Sequence, residues 1–285
     1  MVKRTAACVV TALALLLISG QVHADLSLNV DGSLTDLGVT PGSDYVPESG
    51  VNSWIEPEIG SNGYLGPGYG GQTFNVEALY STISNGKLYF AVITGLPPEG
   101  ASGYNGSGYE IFYPGDILID FEPYYIPSDN PTVPTRDFDF AVETTTYGAS
   151  YLHGGIGAQG AGALFSDVTP GLARIEWDDV YYPYEIARDG SQDAQATLES
   201  TPTEFIYCHW GGLHYVIEGC IDADIFFGFG TVGGLNGKLS WTMGCANDIG
   251  YVSQTLEEDQ YIPEPISLLL FAGSVAGAFL RRKRH

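Results

Sequence analysis

Apolar and polar side chains alternate along short runs of this chain, and Gly and Pro residues separate the runs. In the run 137–143, Phe138, Phe140 and Val142 lie on one face of an extended strand, with acidic side chains on the other. Alternating or continuously apolar runs also occur at 74–78, 88–94, 117–121, 173–177, 204–210, 214–219 and 238–243. Long stretches with a helical 3.6-residue repeat are missing between them, so the pattern predicts many short strands.

The spacing of these runs predicts one all-β domain over residues 25–252. An antiparallel β-sandwich, jelly-roll-like and built from about ten strands, is the architecture that such spacing favours. The two runs around Gly211-Gly212 are predicted to form a hairpin. Long surface loops are predicted at two Gly- or Pro-rich stretches, 60–71 and 123–134.

The end of the domain is predicted from residues 238–262. The run 238–243 is expected to be the last long strand, with Leu239, Trp241 and Met243 pointing inward. The polar and acidic residues that follow the domain, 253–262, are interpreted as a spacer.

The first 24 residues have the three parts of a secretory signal peptide. Lys3 and Arg4 precede a predominantly apolar stretch, 6–19, and Val22-His23-Ala24 places small residues on both sides of His23. Cleavage after Ala24 is predicted, and export through the inner membrane follows from it.

The last 23 residues also have three parts. Pro263, Glu264 and Pro265 precede an uncharged apolar segment, 266–280. Four cations then end the chain before His285: Arg281, Arg282, Lys283 and Arg284. The apolar segment predicts a transmembrane helix about 22 Å long, short of the ~30 Å hydrocarbon core, with the cations on the cytoplasmic side. A buried helix of a soluble domain is the alternative, which the basic end disfavours.

This arrangement resembles the PEP-CTERM sorting signal of Gram-negative bacteria. The resemblance implies that Pro263, Glu264 and Pro265 are the recognition tripeptide of an exosortase, a membrane-embedded cysteine protease-transpeptidase. It further implies that the inner membrane holds the chain only transiently, before cleavage near the tripeptide. Organisms with this signal typically make extracellular polysaccharide, so the resemblance implies a final location at the cell surface or outside the cell.

Charge is distributed unevenly along the chain. Between residues 25 and 262 there are 33 acidic and five basic side chains, a net charge of −28. Such a surface repels nucleic acid, which excludes that class of partner, and it attracts divalent cations.

Carboxylates in the domain are candidate calcium ligands, because Ca²⁺ takes six to eight oxygen atoms. Asp116 and Asp120 bracket an apolar strand and are expected on the same face. The segment Asp31-Gly32-Ser33-Leu34-Thr35-Asp36 is similar to the opening of family-nine carbohydrate-binding modules and related DOMON-like sandwiches, with Leu37 where their tryptophan stands. That similarity implies a sandwich fold and a structural Ca²⁺ near Asp31 and Asp36. The alternative is a solvated acidic face or a set of Asx turns.

Tyrosines in loops are candidate stacking platforms for sugar rings, because their faces are apolar and their edges polar. They lie in or near Gly- or Pro-rich stretches: Tyr64, Tyr69, Tyr104, Tyr109, Tyr113, Tyr124, Tyr125, Tyr181, Tyr182 and Tyr184. Binding of exopolysaccharide is the functional interpretation. Packing over the ends of the sheets is the structural one.

Histidines and sequence motifs do not favour catalysis. Only His153, His209 and His214 lie between the two terminal segments, and the HExxH, nucleophile-elbow and P-loop motifs are missing. Asp178-Asp179 has the residue types of a glycosidase pair, but 33 carboxylates supply many such pairs by chance. His209 and His214 flank a turn next to Cys208, where a metal site and a purely structural role are alternatives.

Cysteines predict one disulfide in the oxidising exterior. Cys8 lies in the signal peptide, which leaves Cys208, Cys220 and Cys245. The pairing stays open between Cys208–Cys220 and Cys220–Cys245.

Together these patterns predict an exported, non-catalytic protein of the cell surface or extracellular matrix, sorted by an exosortase. A carbohydrate-binding, lectin-like module is the alternative, and a secreted glycan-active enzyme is a third.

Overall fold

The computed structural model describes eleven stretches of the chain: 26–56, 71–104, 108–121, 138–144, 161–168, 170–175, 180–186, 197–198, 204–227, 235–245 and 248–256. Nearly all the regular structure in them is antiparallel β-sheet, which confirms the all-β prediction. The predicted signal peptide and sorting signal lie outside these stretches, as do the predicted loops apart from Gly71. No helix in the described stretches is long and apolar enough to span a membrane.

The described stretches contain fifteen strands. They are β1 (Asn52–Ile55), β2 (Val76–Ser84), β3 (Lys87–Thr94), β4 (Ala101–Tyr104), β5 (Tyr109–Phe112), β6 (Ile117–Asp120), β7 (Phe138–Val142), β8 (Leu164–Val168), β9 (Pro170–Ile175), β10 (Val180–Ile186), β11 (Thr197–Leu198), β12 (Glu204–Gly211), β13 (His214–Asp222), β14 (Leu235–Thr242) and β15 (Ile249–Leu256). Short 3₁₀ helices lie at Leu34–Leu37 and Gln72–Phe74, and one helical turn, α1, at Asp224–Phe227.

Two sheets make up most of the fold. One has five strands in the order β1-β2-β3-β13-β12, and the other has six in the order β11-β8-β7-β6-β14-β15. The predicted hairpin is present as β12 and β13, which pair around the turn at Gly212. Two further hairpins, β4–β5 and β9–β10, form separate two-stranded sheets.

The core lies between the two large sheets. Leu79, Phe90 and Ile217 of the five-stranded sheet pack in one cluster with Phe140 and Trp241 of the six-stranded sheet. Leu239, Trp241 and Met243 are all buried in this cluster, as their alternation predicts. The two sheets therefore pack face to face as in a β-sandwich.

A second apolar layer covers the opposite face of the five-stranded sheet. It is formed by residues 26–51, here named the N-terminal cover, whose Leu34 and Tyr45 pack against sheet residues such as Tyr80. The Tyr80 hydroxyl donates a hydrogen bond of 2.7 Å to the Tyr45 carbonyl oxygen. Because both of its faces are buried, β3 needs apolar side chains at nearly every position, which accounts for its continuous apolar sequence.

The domain extends further along the chain than predicted, because it includes strand β15. This strand runs to Leu256 and pairs with β14 along its whole length, so the spacer cannot begin at residue 253 and 238–243 is not the last long strand. Its inward Gln254 is buried and satisfies its polar side chain by accepting hydrogen bonds from Asn52 Nδ2 (2.8 Å) and Ser81 Oγ (3.0 Å). Because the inward side chain of Gln254 is a polar amide, this segment lacks the alternation of apolar and polar residues by which a strand is recognised in a sequence.

Candidate functional site

A β-bulge at the start of β2 gives the fold its most unusual buried carboxylate. Val76 pairs with Thr94 and Ala78 with Ile93, so Glu77 is the extra residue between them. Bulges redirect side chains and occur often beside functional sites. The Glu77 side chain is fully buried.

Three side chains meet at this bulge, and they are here named the Glu77 cluster: Gln72, Glu77 and His214. Gln72 Nε2 donates a hydrogen bond to Glu77 Oε1. His214 Nε2 lies 3.1 Å from the same oxygen and 3.3 Å from Gln72 Nε2. The imidazole is held in place because its ring packs edge-on against Tyr45 of the N-terminal cover, with centroids 6.2 Å apart.

Acceptor atoms are in excess within the Glu77 cluster. Glu77 Oε2 and Gln72 Oε1 are both buried, and neither has a hydrogen-bond partner among the described residues. Glu56 and Asp248 place two more carboxylates nearby, the first accepting a 3.1 Å bond from Asn75 Nδ2 and the second a 2.7 Å bond from the Val76 amide. Burial, with the charge of Glu77 adding to it, raises the pKa of Asp248.

The predicted calcium residues near the N-terminus meet a carboxylate that the sequence did not indicate. Glu218 on β13 is buried, and its Oε2 accepts hydrogen bonds from the amides of Asp31 (3.1 Å) and Gly32 (2.8 Å). Asp31 Oδ1 accepts the Ser33 amide at 2.8 Å, which is the Asx turn of the alternative interpretation. Asp36 Oδ2 accepts the Asn29 amide at 2.8 Å. These contacts fasten the N-terminal cover to the sheet.

The other predicted pair is not brought together. Asp116 precedes β6, and its Oδ1 accepts the Thr144 amide at 3.1 Å. Asp120 ends β6 opposite Lys238 of β14. Four residues of strand separate the two carboxylates by roughly 13 Å, too far for one ion. In the described stretches no group of three His, Cys, Asp or Glu side chains is placed to hold a metal ion.

The burial of Glu218 predicts that the free energy of unfolding depends on pH. Burial is the main cause that raises its pKa from 4.5 to about 7, and the charges of Asp36 and Asp31 raise it further, against the lowering effect of the two amide bonds. Between about pH 4.5 and 7, Glu218 is therefore protonated in the folded chain and ionised in the unfolded chain. This contribution to stability is complete below about pH 4.5 and is lost as the pH rises through about 7.

We expect Glu218→Gln to remove this dependence, because the amide oxygen still accepts the Asp31 and Gly32 amides without carrying charge. The variant should gain about 1–2 kcal/mol over the native chain at pH 8, allowing for solvent screening, and little at pH 5. Urea unfolding of both chains at the two pH values measures the difference. An equal pH slope in both chains would contradict the assignment.

The predicted disulfide is not formed, since no disulfide joins Cys208, Cys220 and Cys245. Cys208 lies opposite Val216 and Cys220 opposite Glu204, which separates the two by four paired positions, beyond the reach of a disulfide. Cys220 contacts Lys87 Nζ at 3.8 Å, whereas Cys245 belongs to the core between the sheets.

His209 does not share a site with Cys208, and His214 belongs to the Glu77 cluster. His209 is exposed, and its Nε2 lies 3.0 Å from the Gly212 carbonyl oxygen. Cys208 and His209 are adjacent in β12, so they point to opposite faces. His153 and Asp178-Asp179 lie outside the described residues.

The hairpin β4–β5 exposes an apolar face, and it is here named the aromatic hairpin. Tyr104 and Tyr109 pair across it with rings 5.6 Å apart and are 62% and 81% exposed. Ile111 beside them is 53% exposed. Phe112 holds the other face, packing edge-on against Phe74 at 5.8 Å. Two of the tyrosines predicted for sugar stacking are therefore on one solvent-facing surface.

The remaining candidate tyrosines contribute less. Four of them lie outside the described residues: Tyr64, Tyr69, Tyr124 and Tyr125. Three others are residues of strand β10: Tyr181, Tyr182 and Tyr184. Comparison with protein-family models, with curated proteins and with solved structures finds no match.

Proposed function

We propose that this chain is an exported, non-catalytic protein of the cell surface or extracellular matrix, sorted by an exosortase in an exopolysaccharide-producing Gram-negative bacterium. The observation that carries the proposal is the three-part sequence of residues 263–285, with its PEP tripeptide, apolar segment and four cations. The signal-like sequence 1–24 supports it from the other end. Transient anchoring fits an apolar segment that is too short for a comfortable span.

Two properties of the domain are consistent with an extracellular location. A net charge of −28 over residues 25–262 keeps a protein soluble at high local concentration. Burial of the five-stranded sheet on both faces protects most of its backbone hydrogen bonds from solvent.

Replacing Pro263, Glu264 and Pro265 together by Ala tests the sorting proposal in the producing bacterium. We expect the variant to stay in the inner-membrane fraction, with at least about a tenfold loss of surface or released protein, because an uncleaved apolar anchor leaves the bilayer very slowly. Quantitative immunoblotting of the fractions measures this. Glu257→Ala with Glu258→Ala is the matched control, since these carboxylates are close by but outside the tripeptide. Equal release of all three chains would contradict the proposal.

Binding of exopolysaccharide is the second candidate, and the aromatic hairpin is the observation that favours it. Two exposed tyrosine rings, inclined to each other by 66°, and an exposed isoleucine offer apolar faces with hydroxyl groups at their edges. Sugar rings present matching apolar faces and polar rims, so such a surface suits a glycan.

We expect Tyr104→Ala and Tyr109→Ala each to weaken retention on the producer's own exopolysaccharide by about three- to tenfold. Affinity electrophoresis through a gel containing the polysaccharide measures retention, and the melting temperature checks that the fold is intact. Tyr251→Ala is the matched control, because Tyr251 is an exposed tyrosine on β15, in the six-stranded sheet. Unchanged retention in both hairpin variants, or the same loss in the control, would rule out the hairpin as the binding surface.

A further inference from the structure

The aromatic hairpin lies at one end of the sandwich. Phe112 of β5 packs against Phe74, which directly precedes the part of β2 that pairs with Thr94 at the end of β3. Beyond β5, Pro114 forms an isolated bridge with Met243, the residue that follows β14. The hairpin is therefore at the end of the sandwich where both β3 and β14 finish.

The two lysines whose side chains the structure describes lie away from this end. Lys87 begins β3, roughly 23 Å along the strand from Thr94 at 3.3 Å per residue. Lys238 lies within β14, roughly 16 Å along the strand from Met243. Both separations exceed the Debye length of about 8 Å at physiological ionic strength. Neither lysine therefore offsets negative charge at the hairpin.

Carboxylates lie close to the exposed rings. Glu110 is exposed and stands between Tyr109 and Ile111 in β5. Glu99 is also exposed, in the turn that leads into β4. With the described lysines far away, these carboxylates make the electrostatic potential around the hairpin negative. Such a surface repels an anionic polysaccharide and attracts a cationic one.

The two tyrosine rings suit a cation as well as a sugar. They are inclined to each other by 66°, so Tyr104 and Tyr109 present separate ring faces to a ligand. An ammonium group within about 6 Å of the centre of such a face is attracted to it, and the apolar face of a sugar ring stacks on the same surface. A glucosamine unit has both features, an apolar ring face and an amino group that takes up a proton.

Resting on the glycan-binding candidate above, we infer that the aromatic hairpin binds a glycan with free amino groups, such as a polymer that contains glucosamine. A sugar stacked on Tyr104 or Tyr109 brings its ammonium groups close to a ring face and to the carboxylate of Glu110. An N-acetylated sugar retains the stacking but loses the cation. A polysaccharide rich in carboxylate or sulfate groups is repelled.

Calorimetric titration of the full-length chain in detergent, with a glucosamine hexamer and with an N-acetylglucosamine hexamer, tests the inference. The two ligands have the same sugar backbone and differ at the nitrogen atom. We expect the glucosamine hexamer, at a pH where it is protonated, to bind at least about threefold more tightly at low salt. The difference should shrink as the salt concentration rises, because exposed charges are screened.

Variants locate the binding on the hairpin. Tyr109→Ala should weaken binding of the glucosamine hexamer by about three- to tenfold. Glu110→Gln should weaken it by about two- to fivefold and leave binding of the N-acetylated hexamer unchanged. Asp222→Asn is the matched control, because it removes an exposed carboxylate opposite Lys87, at the other end of the sandwich, and should bind as the native chain does. Melting temperatures check that each variant folds.

Lysine hexamer separates recognition of a sugar from general attraction of cations to an acidic domain, and it should lose less affinity than the glucosamine hexamer in Tyr109→Ala. Equal losses would overturn the inference. Equal or tighter binding of the N-acetylated hexamer would also overturn it, while glycan binding by the hairpin would still stand. Failure of both sugar hexamers to bind would overturn it too. The glycan-binding candidate itself fails only when the hairpin variants are retained on the exopolysaccharide as the native chain is.

Discussion

Trp241→Ala is expected to lower the free energy of unfolding by about 4 kcal/mol, which is enough to unfold many domains of this size. Trp241 is among the largest fully buried side chains of the chain and lies in the core between the two sheets. Its indole Nε1 also donates a 2.8 Å hydrogen bond to the carbonyl oxygen of Gly115, two residues before β6, and so joins β14 to the segment that leads into β6. The truncation leaves a cavity and removes one of the two hydrogen bonds that this buried carbonyl accepts, since Thr144 Oγ1 also donates to it.

Urea unfolding followed by circular dichroism measures this loss. Trp241→Phe should fall between the native chain and Trp241→Ala, because it fills most of the cavity but still lacks the indole donor. Leu213→Ala, at an exposed position on the turn between β12 and β13, should stay within about 0.5 kcal/mol of the native chain. A Trp241→Ala variant as stable as Leu213→Ala would show that the core is not where the structure places it.

Gly95→Ala is expected to cost about 3 kcal/mol and to disturb the Glu77 cluster as well. A Cβ atom built on Gly95 would overlap the Gln72 carbonyl oxygen and lie 2.7 Å from its carbonyl carbon. The backbone of 71–75 would have to move, but two contacts oppose that movement. Phe74 is buried in the core, and Thr94 Oγ1 donates a 2.7 Å hydrogen bond to the Asn75 carbonyl oxygen.

Gly108→Ala is the control for this substitution, because a Cβ atom there meets nothing within 4 Å and the backbone is not in the left-handed region. Its unfolding free energy should stay within about 0.5 kcal/mol of the native value. Comparing the urea midpoints of the two alanine variants isolates the steric effect. Equal midpoints would contradict the close approach of Gly95 to the Gln72 carbonyl group.

Strands with one apolar face were predictable from the sequence. β7 and β14 alternate clearly because one face of each is in the core, and Trp241 was expected inward for that reason. β15 was missed because its inward Gln254 is polar and owes its burial to Asn52 and Ser81, distant in sequence. Local periodicity carries no information about such partners.

The N-terminal cover was missed for a similar reason. The apolar pattern predicted no element between residues 26 and 51, whereas Leu34–Leu37 forms a 3₁₀ helix that ends at Gly38 in the left-handed conformation. The N-terminal cover is held in place by packing against the outer face of the five-stranded sheet. A short stretch of sequence contains no information about such a distant partner.

The Glu77 cluster depends on pairing across the chain. Gln72 and His214 are 142 residues apart, and only the bulge at Glu77 turns its carboxylate toward them. Glu77 and His214 were each identifiable as metal-binding residue types, but register and bulge position decide whether they meet. The cysteines show the reverse case, where Cys208 and Cys220, one of the two predicted pairs, are separated by the hairpin register.

The proposed export and processing account for both ends of the chain, and the intact mass of the native protein tests them most directly. Protein collected from the surface or medium of the producing bacterium should have the mass of a chain that begins at Asp25 and ends near Pro265, without residues 266–285. A collected protein whose mass still includes the apolar segment and its four terminal cations would contradict the account.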